Sequence, residues 1–418
     1  MRILFLTENF YPEMNASATR VYERAWYWVR WGHEVTVVTT APNFPMGRVF
    51  PGYENRWRQV ETLDGIRVVR VKTYMSPNKG TVRRTLDFSS FLFMGLAGAL
   101  GEGKPDVVAA TSPQFFAAVA GWLASIFKNR PFVFELGDLW PASISAVGAM
   151  QENTLLRCME RLELFLYRRS AAIVALTDAF QKNLVQRGIP PEKIKVVRNG
   201  VDLPRYSPRP RNASLAREWG IDDRFTVGYL GTLGMAHALE KVLDAAELLK
   251  NHEDIRFLFV GPGAARDGLV AESQARRLGN VIFIPPQPKE NMPEYWSLCD
   301  AALVHLKDSP VFASVIPSKI FEAMGMGKPI LLAAPQGEAS QIVEGEEAGL
   351  CLPPEDPNAL AQAVLRLKED AGLHRRLSQA SLAAAPKYTR EKQARDMLSV
   401  LEIASRDQGK RMGETVKP

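Results

Sequence analysis

At 418 residues, nearly half of them apolar, the chain is too long for one compact core, and two domains of about 200 residues are the natural division. Its three cysteines, Cys158, Cys299 and Cys351, lack metal-ligand spacing, which excludes a structural zinc site and a disulfide scaffold and favours a reducing compartment. Residues 1–208 carry 26 Lys and Arg against 18 Asp and Glu, whereas residues 209–418 carry 26 against 28. The basic first half favours an anionic partner such as a membrane surface, a diphosphate or a nucleic acid.

The first half of the chain alternates predicted strands and helices, which is typical of a doubly wound parallel sheet. The apolar core of residues 1–8 is too short for a secretory signal, and a carboxylate follows it too soon. This segment is therefore predicted to be the first strand. Strand 66–71 alternates in polarity, which predicts an edge position. The predicted strands are 2–6, 34–39, 66–71, 107–109, 132–134, 172–175 and 194–197, and the predicted helices are 19–31, 88–100, 114–127, 154–169 and 178–187.

Two apolar stretches, 88–100 and 115–127, are too short to span a bilayer. They are expected to be buried helices of the α/β domain. The alternative for the first stretch is a helix lying on a membrane surface, because the cations Lys79, Arg83 and Arg84 precede it.

The same alternation returns after a proline-rich linker at 203–210, and it predicts a second doubly wound domain. Ligands of such sheets bind at the carboxyl ends of strands, so the loops after the strands are the candidate sites. The predicted strands are 225–230, 256–260, 281–284, 301–304, 330–333 and 349–352, and the predicted helices are 238–250, 264–278, 292–297, 338–344, 357–371, 373–384 and 390–404.

The stretch 313–329 predicts an anion site that faces outward from a helix start. Pro317 is expected at the first helical position and Ser318 as the cap, which leaves backbone amides pointing at a ligand. Lys319 and Glu322 share one helix face, where a cation for phosphate and an acceptor for sugar hydroxyls serve one ligand. The alternative is an exposed lysine–glutamate pair on an ordinary helix.

Glycines at 228, 231 and 234 join a strand to a helix, and they would let backbone amides approach a phosphate. This spacing matches neither the dinucleotide fingerprint nor the P-loop. A tight turn that binds nothing is an equal alternative.

The loop 135–141 follows a hydrophobic strand with two carboxylates and a tryptophan. Asp138 could contact sugar hydroxyls or act as a base, or it could only cap the turn. In the first loop, an acceptor would enter beside Glu13, Asn15, Ala16 and Arg20, although Arg20 could equally be a surface residue. No Ser-His-Asp order, His/Cys cluster or paired-aspartate run occurs in these loops, which makes hydrolase and metal-dependent chemistry less favoured.

The order of elements resembles the retaining glycosyltransferase family 4 with the GT-B fold. The motifs that carry the resemblance are 199–202 (Asn-Gly-Val-Asp), 231–233 (Gly-Thr-Leu), 260–263 (Val-Gly-Pro-Gly), 300–304 (Asp-Ala-Ala-Leu-Val) and 322–329 (Glu-Ala-Met-Gly-Met-Gly-Lys-Pro). The resemblance implies an α/β protein with two doubly wound Rossmann-like domains that face each other across a cleft. The acceptor-side domain would span 1–203, with helix 390–405 crossing back onto it, and the donor domain 204–388. The tail 406–418 is expected to be disordered.

Loop 135–141 and the Pro317-Ser318-Lys319 start further resemble a subgroup that transfers amino sugars, such as N-acetylfucosamine. Their acceptors are undecaprenyl-diphosphate-linked chains in O-antigen, capsule and colanic-acid assembly. Three charges of the family pattern are missing, because Ser314 replaces the first of two glutamates and Thr232 and His237 replace an arginine and a lysine. Either the site is dead, or Lys319 and the amides of 315–319 neutralise the donor diphosphate, which is the favoured interpretation.

The resemblance implies a UDP-sugar donor and a lipid-linked glycan acceptor, with no metal and no cofactor. The uracil would stack near Pro286 and Gln287, Glu322 would bind the ribose, and Asp138 would lie near the sugar. For retention, a donor phosphate oxygen would accept the acceptor proton, so no protein nucleophile is required. The remaining donor residues would be Gly231, Thr232, His237, Gly261, Ser314, Val315, Ile316, Pro317, Ser318 and Lys319.

The expected location is the cytoplasm, with possible peripheral contact with the inner face of the cell membrane. A UDP-sugar epimerase of similar architecture and a non-catalytic nucleotide-sugar or polyanion binder are the alternatives. Nucleic acid is not an expected partner, because neither a helix-turn-helix nor an aromatic RNA-reading pattern is present.

Overall fold

The structure is a computed structural model that describes residues 1–13, 15–44, 46–75, 81–112, 115–139 and 154–414, without the side chains of 81–85, 154–155 and 408–414. The chain forms two compact units: unit 1 contains Met1–Arg198 and the segment from Glu391 onward, and unit 2 contains Asn199–Arg390. The boundary precedes the predicted residue 203 because Val201 pairs with Thr389 in a parallel bridge. The Val201 amide donates to the Tyr388 carbonyl at 2.8 Å, which attaches this segment to unit 2.

Unit 1 is built on an eight-stranded sheet in the order β3-β4-β2-β1-β5-β6-β7-β8, parallel except for β3. Its strands are β1 (Arg2–Leu6), β2 (Glu34–Thr40), β3 (Arg58–Leu63), β4 (Ile66–Val71), β5 (Val107–Thr111), β6 (Phe132–Leu136), β7 (Ala172–Ala175) and β8 (Ile194–Val196). Its helices are α1 (Ala16–Arg30), α2 (Thr81–Leu100), α3 (Phe115–Lys128), α4 (Thr154–Arg169), α5 (Asp178–Gln186) and the final helix, Arg390–Glu414, which is the last of fourteen among the described residues.

The prediction that strand 66–71 lies at a sheet edge is wrong. The sequence did not predict β3, which pairs antiparallel with β4 through the turn at Asp64 and Gly65 and takes the edge position. Both turn residues have positive φ, as a tight hairpin turn requires. The strand was missed because four of its six residues are polar without a period of two, and none of the six is fully buried.

Side chains that alternate along the strands divide the core of unit 1 into two layers. Leu4 and Leu6 face α2, α3, α4 and α5, whereas Ile3 and Phe5 face α1 and the final helix. Trp28 of α1 donates its indole hydrogen to the Ala394 carbonyl of the final helix at 2.8 Å, which joins that helix to α1 in the same layer.

The final helix continues to Glu414, beyond the predicted end at residue 405, and the disorder expected from residue 406 stays a prediction. Arg406 lies 3.7 Å from Glu402 one turn earlier, a spacing that supports a helix through this region. Helix α2 likewise begins at Thr81, before the predicted residue 88. In the described part of the chain, no helix combines the length and the apolar character needed to cross a bilayer.

Unit 2 is a six-stranded parallel sheet in the order β11-β10-β9-β12-β13-β14. The order reverses between β9 and β12, and in open α/β sheets ligands bind at such a switch point. Its strands are β9 (Phe225–Leu230), β10 (Ile255–Val260), β11 (Val281–Ile284), β12 (Ala301–His305), β13 (Ile330–Ala333) and β14 (Gly349–Leu352). Its helices are α6 (Ala213–Glu218), α7 (Glu240–Leu248), α8 (Arg266–Ala275), α9 (Met292–Ser297), α10 (Lys319–Gly325), α11 (Glu338–Gly345), α12 (Pro357–Glu369) and α13 (Ala371–Ala384), which makes the final helix α14.

Candidate functional site

Helix α10 positions Lys319 at the switch point of unit 2. Ile320, Phe321 and Met324 are fully buried, so the helix is fixed in the core. The helix begins at Lys319 rather than at Pro317, and Ser318 forms no side-chain cap, which corrects both predictions. Ser318 has helical rather than extended dihedral angles, and a capping side chain needs the extended conformation.

The amine of Lys319 is buried without a hydrogen-bond partner among the described residues. The side chain is only 9% exposed, and Nζ lies 3.4 Å from the centre of the Tyr229 ring. An aromatic face attracts a cation but supplies no hydrogen-bond acceptor. Burial lowers the pKa of Lys319 to about 7, although the charge of Glu322 partly opposes this shift. The amine therefore lacks the counterion that a bound anion would provide.

Two glycine loops bring bare backbone beside this amine. A Cβ on Gly231 would lie 3.5 Å from both Cε and Nζ of Lys319, and the φ of Gly231 is +128°. A Cβ on Gly261, where φ is +141°, would lie only 2.2 Å from the carbonyl oxygen of Gly231. Only glycine allows the two loops to pack this closely. The geometry therefore fixes a side-chain-free loop next to a buried cation.

His237 stands where the family pattern places a lysine, but it is not a second cation. Its Nδ1 lies 3.2 Å from the carbonyl oxygen of His305, and Nδ1 of His305 lies 2.7 Å from the carbonyl oxygen of His237. Burial and the nearby Lys319 charge lower the pKa of His237 to about 3, despite its bond to His305. His237 is therefore neutral at physiological pH and leaves Lys319 as the cation of this cluster.

Glu322 is half-buried one turn after Lys319. Its Oε2 accepts a 3.4 Å hydrogen bond from the Trp296 indole. Burial raises the pKa of Glu322, although the charge of Lys289 and the Trp296 bond oppose the shift. Lys289, whose charge acts on Glu322, begins the 3₁₀ turn that follows loop 285–288.

The other predicted donor residues of unit 2 differ in exposure. Thr232 and Pro286 are exposed, and Gln287 donates its amide to the Pro285 carbonyl at 3.1 Å. Ser314 ends a 3₁₀ turn, and its hydroxyl donates to the Val311 carbonyl at 2.6 Å. The stretch that joins this turn to α10 consists of Val315, buried Ile316, Pro317 and Ser318.

In unit 1, two of the predicted acceptor residues, Glu13 and Arg20, make buried polar contacts within the protein. The Glu13 carboxylate accepts from the amides of Asn43 and Phe44 at 2.7 and 2.8 Å, and from the side chain of Asn9 at 2.7 Å. Burial raises the pKa of Glu13, although these bonds oppose the shift. Glu13 therefore connects its loop to the loop after β2.

Arg20 belongs to a buried ion triad rather than to an open surface. Its Nε donates to Glu135 at 2.8 Å, and Nη2 of Arg24 donates to the other oxygen of Glu135 at 2.7 Å. Burial alone would raise the pKa of Glu135, but the charges of Arg24 and Arg20 outweigh it and lower the pKa to about 2. This triad connects α1 to the end of β6.

The remaining predicted residues of unit 1 are more accessible. Asn15 caps α1 by accepting from the Ala18 amide at 2.9 Å, and Ala16 is the exposed first residue of that helix. Asp138 is half-buried in the loop after β6. Burial raises the pKa of Tyr167, and the charge of Asp138 adds to this shift. Trp140 and Pro141 lie outside the described residues.

Sequence reasoning missed Tyr229 and Trp296, which contact the two principal side chains of the cluster. Tyr229 lies within the glycine motif, yet an aromatic residue in a strand is typical of a core position and does not by itself predict a binding role. No cluster of three or more His, Cys, Asp or Glu that could hold a metal occurs among the residues that the structure describes.

Two family models match consecutive parts of the chain. Residues 15–200 match the glycosyl transferase 4-like domain, and residues 213–383 match glycosyl transferases group 1. The chain belongs to glycosyltransferase family 4. The family predicted from the sequence motifs is thereby confirmed, and in this family 4 glycosyltransferase the group 1 match covers Gly231, Gly261, Lys319 and Glu322.

Relatives and solved structures agree with this assignment. The glycosyltransferase is 24% identical over 378 residues to the putative colanic acid biosynthesis glycosyl transferase WcaI of Escherichia coli, covering 87% of this chain and 91% of that protein. It is 27% identical over 353 residues to the GDP-mannose-dependent alpha-mannosyltransferase of Mycobacterium tuberculosis, covering 84% of each. Anabaena HepE, solved with UDP and glucose, is 21% identical with a TM-score of 0.72, covering 96% of this chain and 99% of that chain. The structural likeness confirms the predicted GT-B fold, with its two Rossmann-like domains.

Proposed function

We propose that this glycosyltransferase transfers a sugar, with retention, from a UDP-sugar to a polyprenyl-diphosphate-linked or other glycan acceptor in surface polysaccharide biosynthesis. The observation that carries the proposal is the buried, unpartnered amine of Lys319 beside the bare loop at Gly231. A diphosphate fits this arrangement, because it supplies acceptors for the amine and needs close backbone approach. The colanic-acid name of the Escherichia coli relative supports the polysaccharide role.

In the proposed reaction, the bond between the anomeric carbon and the donor phosphate oxygen breaks while the acceptor oxygen bonds to the same face of that carbon. The departing phosphate oxygen takes the acceptor proton, and UDP leaves. The negative charge that develops on the diphosphate is stabilised by the ammonium form of Lys319, which is held in place against the Tyr229 ring. Ser314, Thr232 and neutral His237 supply no charge, so the proposal assigns the neutralisation of the diphosphate to Lys319 and the amides of 315–319.

Glu322 is proposed to accept hydrogen bonds from the ribose hydroxyls, and the uracil to stack near Pro286 and Gln287. The charge of Lys289, which follows Pro286 and Gln287 in the chain, acts on Glu322 and supports placing both parts of the nucleoside at this loop. For the glycan acceptor we propose unit 1, with Ala16 and Asp138 as the accessible candidates. Glu13 and Arg20 then shape the acceptor loops instead of binding the acceptor directly.

The decisive experiment incubates the protein with UDP-sugars, N-acetylated amino sugars included, in the presence and absence of a polyprenyl-diphosphate-linked acceptor. GDP- and TDP-sugars run in parallel, because one relative is named for a GDP-mannose donor. UDP release only with the acceptor supports the proposal. An isomerised donor would instead identify an epimerase, and binding without turnover would identify a nucleotide-sugar binder.

Variants test the roles of single residues in the same assay. Lys319→Ala should lower turnover at least about 100-fold, the scale of losing one charged donor to the transition state. Lys250→Ala, at an exposed lysine in the turn after α7, is the matched control and should not change turnover. Asp138→Asn separates sugar contact from a structural role, because unchanged activity with unchanged melting would remove Asp138 from the site.

A further inference from the structure

Helices α2, α3 and α4 form one layer on a single face of the unit 1 sheet. They contribute to the same core cluster, and α3 packs along α2. Trp122 of α3 and Phe165 of α4 lie edge to face, with ring centres 5.2 Å apart. The outward sides of the three helices therefore belong to one surface, here called the helix-layer surface. Its exposed apolar side chains are Leu86, Phe93, Leu100, Ile126, Phe127, Leu162 and Phe165.

The apolar exposure of this layer is larger than a water-facing helix normally has. Phe93 is 68% exposed and Phe127 is 67% exposed. Between Leu86 and Leu100, α2 carries one charged residue, Asp87, and α3 carries only Lys128. The solvent side of an amphipathic helix is ordinarily charged. Contiguous apolar exposure of this kind marks a surface that another phase or molecule covers.

The neighbouring helix adds a positive charge to the surface. The exposed side of α4 carries Arg157, Arg161, Arg168 and Arg169. Its one exposed acid, Glu160, is paired with Arg187 of the following segment at 3.1 Å. The Arg169 guanidinium carbon lies 5.5 Å from the centre of the Phe165 ring, which places cation and aromatic side by side.

We infer that the helix-layer surface binds the headgroup region of an anionic lipid membrane. Exposed aromatic and aliphatic side chains enter the interface, while arginines contact lipid phosphates. A second copy of the chain fits less well, because self-association through this surface would bring the α4 arginines of the two copies together and they would repel each other. Of the cations that predicted a membrane contact, Lys79 lies outside the described residues and the side chains of Arg83 and Arg84 are not described. The inference does not require that the proposed transfer reaction is correct.

The test is co-sedimentation of the full chain with vesicles. One set contains equal amounts of phosphatidylglycerol and phosphatidylethanolamine, and the other contains phosphatidylcholine alone. Arg168→Gln with Arg169→Gln should weaken binding to the anionic vesicles about 25-fold, roughly fivefold for each cation removed. Phe127→Ser should weaken it at least about threefold, through lost apolar burial.

Matched substitutions in unit 2 serve as controls. Arg375→Gln with Arg376→Gln removes two exposed arginines of α13, and Leu248→Ser removes an exposed leucine of α7. Neither should change vesicle binding, and all variants should melt like the parent because every substituted side chain is exposed.

Three outcomes would overturn the inference. They are equal binding to both vesicle types, equal losses in the controls, and a dimer in solution that dissociates on Phe127→Ser without any vesicle binding. The last outcome would assign the surface to contacts between copies of the chain. Loss of vesicle binding with intact transfer to a water-soluble acceptor, and the converse, separate this inference from the proposed reaction.

Discussion

The amine of Lys319 lies 3.4 Å from the centre of the Tyr229 ring, at the point where the sheet order of unit 2 reverses. The ring replaces part of the water that the cation has lost, but it satisfies none of the amine's hydrogens. A lysine in this position is unfavourable for the free protein and favourable once an anion binds. Two of the following predictions rest on this contrast.

Nucleotide binding should weaken as the pH rises. The pKa of Lys319 is lowered to about 7, so the free protein loses the cation above that pH. A bound diphosphate favours the charged form, and affinity for UDP should therefore fall by up to about tenfold per pH unit between about pH 7 and pH 9. Calorimetric titration of UDP checks this. Lys319→Met should bind weakly with a flat profile, and a parallel slope in that variant would contradict the assignment.

Replacing Lys319 by methionine should stabilise the free protein while it removes nucleotide binding. The folded pKa lies below the ordinary lysine value, so the unfolded chain binds more protons between about pH 7 and pH 10 and unfolding is favoured at the lower end of that window. Lys319→Met should raise the Tm by roughly 2–4 °C at neutral pH. Lys250→Met is the control and should leave both Tm and binding unchanged. A lower Tm would show that the buried amine of Lys319 does not destabilise the free protein.

Gly261→Ala should damage the donor loops of unit 2. The new methyl group would lie 2.2 Å from the Gly231 carbonyl oxygen, at a φ of +141° that disfavours alanine. We expect a loss of roughly 1–3 kcal/mol in unfolding free energy and weaker UDP binding. Gly268→Ala in α8, where nothing lies within 4 Å, should be neutral or stabilising by up to about 1 kcal/mol. Equal effects of the two substitutions would refute the packing argument.

Glu135→Gln should strongly destabilise unit 1, by roughly 3–5 kcal/mol, because it leaves the buried charges of Arg20 and Arg24 without a counterion. In the parent protein the carboxylate has a pKa of about 2 against an ordinary 4.5. Its contribution to stability is therefore present above about pH 4.5 and is lost as the pH falls towards 2. Urea unfolding across this range measures it, with the exposed pair Glu54 and Arg56 as control through Glu54→Gln.

The motifs of unit 2 could be predicted from the sequence because each is a short run of residues within one loop or one helix. Lys319 and Glu322 are three residues apart, and helical geometry alone places them on one face. The role of Tyr229 was not accessible in this way, since its contact with Lys319 depends on the packing of β9 against α10. The role of Arg20 could not be predicted either, because a cation at the start of a helix after a loop is typical of the surface. It pairs with a glutamate more than one hundred residues away.

The sequence by itself determined the two alternating α/β units, the glycine loops and the helix that carries Lys319, because periodicity, glycine positions and helical spacing are local properties. The tertiary structure alone decided which charges are free to bind a ligand. It neutralised His237 by burial against His305, engaged Arg20 with Glu135, and left the Lys319 amine against an aromatic face with no acceptor. The physical reason is that burial and pairing set the state of an ionisable group, and both depend on residues far away in the chain.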